Sequence, residues 1–157
     1  MPICSLTFDR KLTRQRSDLY FDTMNDFSLF HRPSFEHKIQ TIKNTDHFQA
    51  LFASMFAYSA SFYIADAVDP HAHLHTSSWK PDPMRFHNKA LTLINKSLDE
   101  YLDQPPSLCL LQAMILITSC ELTKGVRGRA WRLLGSCVRV AYELHLHLID
   151  YEACEEY

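Results

Sequence analysis

Glycine is scarce in this sequence: three residues in 157, Gly125, Gly128 and Gly135, all within one short stretch. That leaves no phosphate-cradling Gly-rich loop and no Gly-x-Ser-x-Gly nucleophile elbow. A basic excess is missing as well. Sixteen Lys and Arg stand against eighteen Asp and Glu, a net charge of −2, without the positive stripe of a domain that binds nucleic acid by itself. Five cysteines are present (Cys4, Cys109, Cys120, Cys137 and Cys154) but no Cys-x-x-Cys pair, so no zinc knuckle or binuclear zinc cluster is encoded. Arg10, Lys11 and Arg14 come early without the apolar run of a secretory signal after them. The most apolar charge-free stretch, Ala50 to Ala65, carries Ser54, Ser59 and Ser61. It falls short of the roughly 20 residues a membrane span needs, and reads as a buried helix. The alternating pattern of half-buried strands is absent.

What the sequence does contain is helical periodicity. Hydrophobic residues make up 46% of the chain, enough for a globular core in one domain. Residues 1–16 carry Arg10, Lys11, Arg14 and Arg16 on no apolar stripe and read as a poorly ordered lead-in. Residues 17–150 form the domain, and 151–157 an acidic tail with Glu152, Glu155 and Glu156. Ser17 can cap a helix over 18–30, broken by His31-Arg32-Pro33. Pro33 opens a short helix to about Ile42. A helix over 46–68 is apolar all round and therefore central. Helices over 82–102, with Phe86, Ala90, Leu93, Ile94, Ser97, Leu98 and Tyr101 on one face, and 108–123, capped by Ser107, follow. Gln112 reads as a buried amide bonded to a neighbouring helix. Cys109, Cys120 and Cys137, in apolar helical segments, read as reduced, buried thiols.

The Gly125–Gly128 turn should fold a last helix, 129–144, back on the one before it. Ala130, Leu133, Leu134, Cys137, Val138, Ala141 and Leu144 recur at three- and four-residue steps, which predicts one buried stripe. On this reading Trp131 and Leu134 are core residues, and Gly135 marks the close approach of another helix. Arg139 and Glu143 can pair along the surface. Two glycines before a helix can bind an anion, but the hairpin reading is preferred, with Arg127, Arg129 and Arg132 forming a solvated or interdomain surface. The fold class expected is all-α, antiparallel helical hairpins in an irregular array.

One metal-like pattern stands out. His71, His73 and His75 alternate in an irregular segment and can project to one side, with Asp66, Asp69 and His87 as candidates to complete a zinc or nickel site. A solvated polar loop is the preferred reading. A metal-dependent enzyme built on these histidines and an unrelated helical interaction module remain the alternatives to the reading below.

Several segments resemble, in order, the fungal-specific transcription factor domain, the middle homology or xylanolytic activator regulatory domain of fungal binuclear zinc cluster factors. Tyr20-Phe21 through His31-Arg32-Pro33-Ser34-Phe35 is similar to its opening motif. Ser107-Leu108 through Gln112-Ala113-Met114 resembles its leucine-rich helix. Gly128-Arg129-Ala130-Trp131, Leu134-Gly135, Val138-Arg139-Val140-Ala141 and Leu144-His145-Leu146-His147 resemble its hallmark helix. The motif positions carried over are Arg32, Pro33, Phe35, Gln112, Gly128, Arg129, Ala130, Trp131, Leu134, Gly135, Arg139, Ala141, Leu144 and His147. The resemblance implies a nuclear regulator of RNA polymerase II transcription that is not an enzyme. It implies protein partners (self-association, an inhibitor or a coactivator), no membrane, and no cofactor in this chain. DNA contact and zinc would belong to a separate module. The family usually has glycine where this chain has His145, so the last helix is expected to run on or fray. The family domain usually continues past this motif, so an incomplete domain with exposed apolar helix faces is expected, one that self-associates or binds a hydrophobic dye.

Overall fold

A computed structural model describes residues 20–22, 29–66, 82–100, 106–125 and 127–148, the side chains of 62–66 and 127 excepted. Among the described residues the architecture is all-α. Five helices follow in order: α1 (Arg32–Thr41), α2 (Thr45–Asp66), α3 (Pro83–Glu100), α4 (Leu108–Thr123) and α5 (Arg127–Glu143), then a 3-10 turn at Leu146–Leu148.

Local chemistry sets the helix starts. Pro33 sits in the first turn of α1, where its missing N–H costs nothing. The Asn44 carboxamide oxygen accepts from the N–H groups of Asp46 and His47 at 2.9 and 3.2 Å and so opens α2. Asp82 accepts from Met84 N–H at 3.0 Å before α3. Ser107 caps α4, its hydroxyl accepting from Leu110 N–H at 3.2 Å. Gly125, at φ 76, takes the left-handed conformation that lets α5 turn back on α4.

The core is built around α2. Leu51, Phe52, Met55 and Phe56 are buried, and so are Ser54 and Ser59. Those two hydroxyls donate to the carbonyls one turn back, Ala50 and Met55, at 2.8 and 3.0 Å, so neither of these two donors is left unpaired. α2 packs against both α3 and α4, and α4 in turn against α5. Over residues 46–61, whose side chains are described, a helix apolar on every side thus has no fully exposed position, as its sequence predicts. Edge-on aromatic contacts tie the opening segment to this centre. Tyr20 meets Phe30 at 5.6 Å, Phe30 meets Phe35 at 5.3 Å, Phe35 meets Phe52 at 6.1 Å, and Phe56 meets Phe86 at 5.5 Å.

The helix expected over 18–30 is corrected at its end. Tyr20–Asp22 is helical, but Leu29 and Phe30 form a bend. There the chain turns Phe30 into the aromatic cluster ahead of the Pro33 restriction. Residues 23–28 lie outside the described set, as do His71, His73 and His75, Cys4 and Cys154, and the tail over 151–157. Cys109, Cys120 and Cys137 are buried free thiols. No helix among the described residues is long and apolar enough to cross a membrane.

Candidate interaction face

α5 carries two apolar stripes, not one. Ala130, Leu133, Cys137 and Val140 are buried against the rest of the fold. Trp131, Leu134, Val138 and Tyr142, displaced around the helix, are 71, 42, 48 and 59% exposed. The single stripe read from the sequence mixes these two. Leu134 and Val138 belong to the outer face, and Trp131 is a surface residue. Both stripes satisfy helical spacing, so periodicity alone does not choose which one faces inward. Gly135 is corrected too: a Cβ placed there meets no atom within 4 Å, so no neighbouring helix requires glycine at that position. Exposed apolar helix faces are as expected, and α5 is where they concentrate. Arg132 and Arg139 are exposed around the outer stripe. Arg139 donates to the Ser136 hydroxyl at 3.2 Å, a partner other than the Glu143 expected for it.

The helix does not run on past its motif. His145 itself adopts a left-handed φ of 55°, its N–H donating to the Tyr142 carbonyl at 3.0 Å. Histidine tolerates that region better than most side chains do. The chain then reverses through Leu146–Leu148. The His147 ring stacks on Tyr142 with centroids 4.5 Å apart, so the segment after α5 turns back onto the outer stripe.

Beneath the turn lies a buried polar joint. Glu121 of α4 and His87 of α3 are both 1% exposed, with Glu121 Oε1 2.5 Å from His87 Nε2. The approach lacks hydrogen-bond directionality, since neither His87 ring nitrogen has a partner in hydrogen-bonding geometry. Arg129 of α5 reaches the same Oε1 at 3.6 Å. Burial holds the His87 pKa below its ordinary value, Lys124 adds to the effect, and Glu121 opposes it. The imidazole is therefore neutral near pH 7, and among the described residues the Arg129 guanidinium is the permanent cation within ion-pair distance of the Glu121 carboxyl. One carboxylate thus has contacts with two other helices, α3 through His87 and α5 through Arg129. A charged residue in the otherwise apolar 108–123 run was the available signal, since a buried carboxylate must be paired. His87 stands 34 residues away by sequence number, with no local pattern to connect it.

The other motif positions are structural in their surroundings. Arg32 pairs with Asp22 at 3.2 Å and lies 5.5 Å from the Phe21 ring centroid. Pro33 starts α1 and Phe35 is buried. Gln112 is half-buried and donates to the Leu29 carbonyl at 3.2 Å, so its partner is the opening segment and not a neighbouring helix. Gly128 lies in the exposed first turn of α5, Ala130 is buried, and Ala141 and Leu144 are half-buried against the core. Among the described residues no cluster of three or more potential metal ligands forms.

Among the described residues these features define a class: an all-helical domain with an apolar core and an outward-facing aromatic and arginine-bearing helix. A sequence profile of the fungal specific transcription factor domain matches residues 18–152, and the chain belongs to that family. Comparison with curated proteins returned no match, nor did comparison with solved structures.

Proposed function

We propose that this chain is the regulatory, protein-interaction domain of a fungal RNA polymerase II transcription factor, working in the nucleus. Its role is non-catalytic and is exerted through a second copy, an inhibitor or a coactivator. DNA and zinc belong to a separate module. The observation that carries this reading is the exposed Trp131, Leu134, Val138 and Tyr142 stripe with Arg132 and Arg139 beside it. Aromatic and arginine side chains are enriched at the centres of protein interfaces, and continuous apolar patches on soluble domains mark such interfaces.

The test fuses the chain to a heterologous DNA-binding domain in a fungal host and reads a reporter gene. Trp131→Asp with Tyr142→Asp should change reporter output several-fold, with helicity and protein level unchanged. Unchanged output from the folded variant removes the reading. The purified chain should retain no specific DNA sequence, and sequence-specific retention would contradict it.

A further inference from the structure

Away from α5, a cavity of about 510 Å³ lies between α1, α2 and the first turn of α4. Its size falls within the roughly 300–1,000 Å³ of small-molecule sites. Phe35, Ile39, Leu51 and Leu108 form much of its wall, and Lys38 and Lys43 stand at its edge. Its lining includes no aspartate or glutamate among the described residues. Both lysines are exposed, and neither has a carboxylate partner among the described residues.

Two polar contacts lie deeper in the wall. His47 Nδ1 lies 2.9 Å from the Ser107 hydroxyl, and Gln112 holds the Leu29 carbonyl. Burial keeps the His47 pKa below its usual value, against the pull of Asp46, so the floor is uncharged near neutral pH. Positive charge is therefore confined to the edge, while the interior is uncharged and mostly apolar. The first turn of α4 lines the same space, with Leu108 and Cys109 at the positive end of that helix.

We propose that this cavity binds an amphipathic organic anion, its apolar body against Phe35, Ile39, Leu51 and Leu108 and its carboxylate against Lys38 and Lys43. A cationic ligand meets like charge at the opening. A neutral apolar one forgoes the charge-assisted contacts that lysines supply. A ligand seated here touches α1, α2 and α4 together, so it stabilises the attachment of α1 to the core. The site is independent of the α5 face.

Three ligands with one alkyl chain and different heads test it by calorimetry on the full chain: decanoate, decylammonium and decanol, below their aggregation concentrations. Decanoate should bind at one site, at least about tenfold more tightly than decylammonium. Lys38→Gln with Lys43→Gln should bring decanoate down to the level of decanol. Ile39→Trp, which fills the cavity, should weaken decanoate and decanol alike. Trp131→Ala should leave all three unchanged. Binding that ignores the head group would overturn the proposal, and so would decanoate affinity untouched by both the lysine and the cavity-filling variants. Binding abolished by Trp131→Ala would place the ligand on the α5 stripe and overturn it as well.

Discussion

α4 and α5 are neighbours of almost equal length, 16 and 17 residues, and they meet water in opposite ways. α4 is enclosed by α2, α3 and α5, with Leu110, Met114, Leu116 and Ile117 essentially inaccessible. α5 rests on α4 by one stripe and turns a second apolar stripe outward. The contrast shows that apolar content locates a helix without orienting it. At the ends of α5 stand the left-handed Gly125 turn, the Glu121–Arg129 contact and the left-handed His145.

The largest expected effect lies on the enclosed side. Leu116→Ala should destabilise the protein by about 2–5 kcal/mol in denaturant titration, as expected for a cavity in a packed core. A change under 1 kcal/mol would mean that α4 is not enclosed. Next comes the joint between the two helices. Glu121→Ala leaves His87 buried without its neighbour and frees Arg129, at a cost of about 1–3 kcal/mol. Glu121→Ala should also change the near-ultraviolet dichroism more than Arg129→Ala does, because Arg129 is half exposed.

A smaller effect follows from pH. His87 and His47 both have folded-state pKa values lowered chiefly by burial. The unfolded chain, with histidines near 6.5, takes up protons first. Stability is therefore full above about pH 6.5, falls as pH drops toward the folded values, and levels below them. His87→Gln should flatten that slope; a slope of unchanged steepness would show that His87 is not the group titrating. Smallest is the response of the enclosed thiols to reagents. Burial raises the pKa of Cys109 to about 12 and of Cys120 to about 11, and that of Cys137 in the same direction. N-ethylmaleimide followed by peptide mapping should find all three unmodified in the native chain and modified in denaturant. Native labelling at Cys120 would mean that the α4 side opens readily.

Much of the fold was legible beforehand because its signals are local. Ser107 and Pro33 mark helix starts, and the all-round apolar 46–68 pattern marks the centre. α4 spans the residues its periodicity predicts, and α5 begins two residues early, inside the turn. What was not legible depends on partners distant in sequence. Trp131 and Leu134 sit at helical spacing with true core residues, and only the docking of α5 on α4 separates them. A carboxylate at Glu121 in a mostly apolar helix needs a partner once buried, but nothing local points to His87 or Arg129 as its neighbours. The helix end needed no glycine, because His145 takes the left-handed conformation itself.

The central claim, that α5 presents Trp131 outward and Leu133 inward, is tested most directly by comparing Trp131→Ala with Leu133→Ala in equilibrium unfolding. Leu133 is 9% exposed, and its truncation should cost about 2–5 kcal/mol. Truncation of Trp131 should stay within about 0.5 kcal/mol. A loss from Trp131→Ala equal to or greater than that from Leu133→Ala would contradict the orientation and, with it, the interaction face.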